Sequence, residues 1–143
     1  MKIMVSACLL GKRCKYSGGD NRNEAVISFL KDKEYVAVCP EVAAGMPVPR
    51  PPVEIRKGRV ISIEGKDLDE IYREGVRKTL EEAGPVDMAI LKGGSPTCGV
   101  HQIYDGTFSG TKIRGMGILA SALAAKGIPL YDEKDIEKRN GEI

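Results

Sequence analysis

Three of the four cysteines, Cys8 in "VSACLLG", Cys39 in "VAVCPE" and Cys98 in "GGSPTCG", follow apolar runs. Soft thiolates of this kind suit iron–sulfur clusters, zinc or copper(I). Local spacing does not choose among them. Cys8 and Cys14 form C-x5-C, no C-x-x-C occurs, and His101 is the sole histidine, so no paired zinc-finger spacing exists. Cys39 and Cys98 also have a plainer reading as small buried hydrophobes. Cys14 lies in the basic segment "GKRCKY". It is expected to be exposed, with its pKa lowered by Lys12, Arg13 and Lys15. It is a fourth ligand, a reactive thiol or neither.

Other residues near the cysteines have types suited to chemistry. Glu41, in "CPE", offers a carboxylate for proton transfer; the alternative is a solvated loop carboxylate. Ser95 lies three residues before Cys98, where its hydroxyl either serves the site or only shapes the turn with Pro96. Gly93, Gly94 and Gly99 permit close backbone approach to a bound group. Arg50, between prolines in "PRPP", is a candidate anion binder. Ser109 belongs to "YDGTFSGT", rich in hydroxyls and glycine and suited to gripping a small polar ligand. The helix start at "GMGILA" offers amides to an anion, but no dinucleotide or P-loop motif is present.

The elements that must position these residues are readable from periodicity. Strands are expected at 2–7, 35–39, 86–92 and 128–132. A helix after residue 21, capped by Asp20 or Asn21, carries Ala25, Val26, Phe29 and Leu30 on one face. Segment 40–55 holds five prolines and is expected to be a stiff extended loop without helix. A hairpin should turn at Lys57-Gly58 within 53–65. A helix from Asp67 should bury Leu68, Ile71, Tyr72, Val76 and Leu80 and stop at Gly84-Pro85. Segment 93–117 reads as Gly-rich loop. A helix at 117–127 and a last one capped by Asp132 complete the chain.

Strands alternating with amphipathic helices predict an α/β, three-layer fold: a mostly parallel sheet with helices on both faces, Rossmann-like, plus a small β-hairpin insertion. One domain over 1–143 fits the length. Ligands of such sheets sit beyond the carboxyl ends of the strands. If the first three core strands are parallel neighbours, about 4.8 Å apart, Cys8, Cys39 and Cys98 converge on one small inorganic object.

A net charge of +2 does not mark the chain as a nucleic-acid or membrane binder, and an aromatic content of 5% leaves few stacking platforms for bases. The apolar start is short and broken by Ser6 and Gly11, unlike a signal peptide. The expected setting is the cytoplasm, with no membrane or nucleic-acid partner. Oligomeric state is not readable.

Taken in order, "ACLLGKRCKYSG", "VCPEVAAGMPVPRPPVEI", "AILKGGSPTCG" and "IYDGTFSGT" resemble the small bacterial and archaeal family that includes the thiouracil desulfurases, over roughly residues 3 to 135. The resemblance implies a [4Fe–4S] cluster on Cys8, Cys39 and Cys98 with one iron free of protein ligands. It implies an acid/base pair at Glu41 and Ser95. The activity implied is non-redox desulfuration of a small thiolated heterocycle. One position departs: the family's "C-R-Y-D-G" reads "C-K-Y-S-G" at 14–18, with Ser17 in place of an acid, which bears on substrate. The rival readings are a zinc-stabilised binding module using all four thiols, and a metal-free thiol enzyme with His101 as base.

Overall fold

The computed structural model describes residues 1–139; the last four residues of the expected domain, 140–143, lie outside the described part. The chain runs β1 (Lys2–Ser6), α1 (Glu24–Leu30), β2 (Glu34–Val38), α2 (Pro40–Ala43), β3 (Val53–Arg56), β4 (Arg59–Ser62), α3 (Asp69–Ala83), β5 (Met88–Leu91), β6 (Gln102–Tyr104), β7 (Lys112–Arg114), α4 (Ile118–Ala125), β8 (Leu130–Asp132) and α5 (Glu133–Lys138).

Four strands form one parallel sheet in the order β2-β1-β5-β8. Side chains alternate across a strand, so the central strands feed two cores. Ile3, Val5, Met88 and Ile90 pack with α1 and α5 residues Val26, Phe29, Leu30 and Ile136. Met4, Ala89 and Leu91 pack with Tyr72, Val76, Leu119 and Leu123 of α3 and α4. This is the expected three-layer α/β arrangement. Two antiparallel hairpins, β3-β4 and β6-β7, lie outside the sheet. Among the described residues no helix is long and apolar enough to cross a membrane.

The first hairpin turns where expected, with Lys57 and Gly58 at φ of 50° and 76°, the backbone of a tight primed turn. Gly84 ends α3, and Asp132 caps α5 through a full capping box. Four expectations fail. Asn23, not Asp20 or Asn21, caps α1: its side chain accepts from the Val26 amide at 3.1 Å. A helical turn, α2, does form inside 40–55. Pro40 occupies its first position, where a missing N–H costs nothing, and the remaining prolines lie beyond it. Ile71 is 46% exposed rather than part of the buried stripe of α3. The segment 93–117 contains β6-β7, whose three-residue strands carry too little pattern to be read; β7 is exposed throughout.

Candidate active site

Because β1 is flanked by β2 and β5, the chain leaves all three strands at the same sheet edge. Cys8 enters a 3-10 turn, Ala7–Leu10, directly after β1. Cys39 is the residue before α2. Cys98 sits in the turn that follows β5. A cleft of about 530 Å³ opens there, lined by all four cysteines together with Glu41 and Ser95.

Each thiol has donors aimed at it. Asn21 Nδ2 donates to Cys8 Sγ at 3.4 Å. Contact with the Cys14 thiol is the largest influence lowering the Cys8 pKa, with Asn21 adding to it against burial. Cys39 is lowered to about 6, first by Cys14 and then by the Val42 amide, again against burial. Cys98 is pushed up to about 12 by burial, while the Ser6 and Thr97 hydroxyls oppose the rise; Thr97 Oγ1 lies 3.7 Å from its sulfur. Hydrogen-bond donors at a sulfur favour the thiolate, the form that ligates metal. Soft sulfurs from three neighbouring strand ends, two of them already biased to the thiolate, fit a [4Fe–4S] cluster.

Cys14 corrects its sequence reading. It is 3% exposed, and its pKa is raised, chiefly by sharing its proton with Cys39 and Cys8. The flanking lysines and arginine do not set its environment. Its carbonyl accepts from Arg50 Nη2 at 2.7 Å, so the loop is pulled in against the cleft.

Glu41 and Ser95 meet through a residue that sequence reading passed over. Thr97, 1% exposed, has Oγ1 3.3 Å from Glu41 Oε2 and 3.1 Å from Ser95 Oγ. Thr97 has a single hydroxyl proton, which goes either to Glu41 Oε2 or to Cys98 Sγ, and in both cases its oxygen is free to accept from the Ser95 hydroxyl. Ser95 Oγ in turn accepts from the amides of Thr97 and Cys98 at 3.1 and 3.0 Å. The other Glu41 oxygen is held by Arg50 Nε at 3.0 Å and by the Tyr72 hydroxyl at 3.4 Å. Burial pushes that hydroxyl well up, and Glu41 raises it further, so Tyr72 stays protonated and donates.

Of the three substrate-binding expectations, those for Arg50 and Ser109 need restating. Arg50 lines the cleft, but its donors go to Glu41, Pro47 O and Cys14 O; it orients Glu41 rather than standing open to an anion. Gly94 lines the cleft at φ 79°, with Tyr104 and Lys112 packed against it. Ser109 does not: it is exposed and bonds Thr107 and Thr111, while Phe108 and Gly110 beside it face the cleft.

Two further expectations lose their basis. The amides at the start of α4 donate to the carbonyls of Pro96 and Thr97, so they brace the Cys98 turn and offer nothing to an anion. His101 lies outside the cleft and bonds Asp135 at 2.7 Å, which removes the base that a metal-free thiol enzyme requires.

The family model described as 2-thiouracil desulfurase matches residues 3–135. The uncharacterized protein YbbK of Bacillus subtilis (strain 168) is 37% identical over 146 residues, spanning 94% of this chain and 97% of that protein. A solved structure, the [4Fe-4S]-dependent thiouracil desulfidase TudS, superposes with a TM-score of 0.87 at 35% identity, over 96% of this chain and 93% of its own.

Proposed function

The chain belongs to the 2-thiouracil desulfurase family, and from that premise we propose that it hydrolyses the C–S bond of a small thiolated heterocycle, a thiouracil-like base. The products are hydrosulfide and the carbonyl compound. The cofactor is a [4Fe–4S] cluster, and we assign its ligands as Cys8, Cys39 and Cys98. When bound, it supplies a Lewis-acidic iron that polarises the thiocarbonyl. Family membership does not favour the zinc-only binding module. A reducing cytoplasm suits a site built on free thiols.

The chain's own residues account for the proton work. Water attacks the thiocarbonyl carbon, and Glu41 takes the proton it sheds. Arg50 and Tyr72 hold Glu41 Oε1, which leaves the carboxylate fixed rather than free to rotate. Ser95, polarised by two amides and linked to Glu41 through Thr97, delivers a proton at the opposite end of the same chain of hydroxyls. Overall the water oxygen replaces sulfur; one water proton leaves with sulfur as hydrosulfide and the other passes to solvent. No electrons are exchanged.

The observation that carries the reading is the meeting, at one cleft, of four thiols and a hydrogen-bonded Glu41–Thr97–Ser95 chain. The test is anaerobic reconstitution with iron and sulfide, followed by counting of both and by incubation with 2-thiouracil. About four irons per chain, with uracil and sulfide formed in equal amounts, is the expected result. A zinc-loaded protein that takes up no iron and leaves 2-thiouracil intact overturns it.

A further inference from the structure

The segment 105–111 is held far more firmly than a surface turn requires. Glu54, on β3, is buried, and its Oε1 accepts from the Gly106 amide at 2.9 Å and the Phe108 amide at 3.1 Å. Arg56, two residues along the same strand, donates to the Gly106 carbonyl at 2.9 and 2.6 Å. Gly106 itself, at φ 93°, leaves no room for a side chain: a Cβ there would lie 2.7 Å from Ile55 O. The hairpin β3-β4 therefore grips this loop at three points.

What the grip enforces is the conformation of Phe108. Its φ is 57°, in the left-handed region that an aromatic residue rarely adopts. Such conformations persist only where the surroundings over-determine them, and they concentrate at ligand clamps. If only the turn mattered, glycine or asparagine would serve it without strain. Phe108 is half-buried and lines the cleft, as do Tyr104 of the same hairpin and Ser95.

We infer that Phe108 is the specificity-determining substrate contact: an aromatic face, fixed by Glu54 and Arg56, against which the planar thiolated ring stacks. The inference rests on the desulfurase reading and adds to it the residue that selects a flat ring. Stacking of a base on an aromatic side chain is energetically substantial and depends on planarity, so a puckered, partly saturated ring loses it.

The test uses the cluster-loaded enzyme and three variants: Phe108→Gly, which relieves the backbone strain and removes the ring; Phe108→Leu, which keeps apolar bulk; and Phe108→Tyr, which keeps the aromatic face. Phe108→Gly and Phe108→Leu should raise KM for 2-thiouracil roughly tenfold, an effect on KM more than on kcat, and Phe108→Tyr should stay close to the parent. Phe108→Gly should retain its iron and melt no lower than the parent. Calorimetric titration with uracil and with 5,6-dihydrouracil adds a readout free of catalysis: the parent should prefer planar uracil, and Phe108→Gly should lose that preference. Unchanged KM and unchanged uracil binding in both Phe108→Gly and Phe108→Leu overturn the inference, as does a Phe108→Gly protein that loses iron and thermal stability together, which marks a structural plug. Failure of the desulfurase reading looks different: the parent itself leaves 2-thiouracil intact, and the uracil titrations still decide the role of Phe108.

Discussion

At the scale of single residues, the assignment of Cys8, Cys39 and Cys98 as cluster ligands, with Cys14 outside the set, is open to direct test. Cys14 touches Cys8 and Cys39 yet holds its proton more firmly than either. We expect Cys14→Ser to retain about four irons per chain, whereas Cys8→Ser, Cys39→Ser and Cys98→Ser each lose most of theirs, measured by iron and sulfide content after anaerobic reconstitution. Iron lost equally from all four variants would make Cys14 a ligand. Thr97 is decided by kinetics. Thr97→Val keeps the shape but removes the hydroxyl between Ser95 and Glu41, and should lower kcat roughly 100-fold, the size of a general acid–base contribution. Thr97→Ser should recover most of it, and neither variant should change iron content. Sequence reading singled out Glu41 and Ser95 as candidates because each lies within a few residues of a cysteine, and the structure places both at the cleft. It missed Thr97 and Tyr72 because their roles arise from contacts across the fold that no local spacing records. The same blindness misplaced Cys14: its basic neighbours describe the exterior of a loop whose cysteine turns inward.

At the scale of elements, the short helix α2 carries both Cys39 and Glu41 into place, and its seat is Gly75 on α3. A Cβ at Gly75 would lie 2.3 Å from the Pro40 carbonyl oxygen and 2.6 Å from Ala44 Cβ. Glycine inside a helix costs about 1 kcal/mol relative to alanine, and here that cost is offset by the close approach of α2. Gly75→Ala should therefore destabilise the protein, despite its better helix propensity, by about 1–3 kcal/mol, the usual cost of overpacking. Urea unfolding measures that loss, and iron content should fall with it as Cys39 is displaced; a variant more stable than the parent would show that α2 yields freely. The proline-rich sequence concealed α2, since only the first of its prolines stands at a position a helix tolerates. The hairpin β6-β7 was concealed for another reason. It has no buried face of its own to leave an alternating pattern, and Ile103, its buried residue, packs beneath the Gly94 loop rather than in either core.

At the scale of the whole molecule, architecture and site draw on different parts of the sequence, and this has a measurable consequence. A mostly parallel sheet covered on both faces was legible because β1 and β5 are apolar on both faces, as a central parallel strand must be; the order β2-β1-β5-β8 was not, and entered the sequence reading only as a condition. The convergence of three thiols follows from that order together with parallel strand direction. The two cores are built mostly of Leu, Ile, Val, Met, Ala and Tyr side chains on either side of the sheet, with Cys98 a member of one and Cys8 and Cys14 members of the other. Since apolar side chains supply most of both cores, we expect the fold to form without the cluster. A chain stripped of iron by chelator under anaerobic reduction should keep its helix and strand content by circular dichroism and still melt cooperatively. It should do so at a lower temperature than the loaded protein, because any ligand bound only by the native state raises its stability. Reloading should restore the higher melting temperature in proportion to the iron regained. A stripped chain with no cooperative transition would place the cluster among the determinants of the fold, and the separation between scaffold and site drawn from the two cores would be wrong.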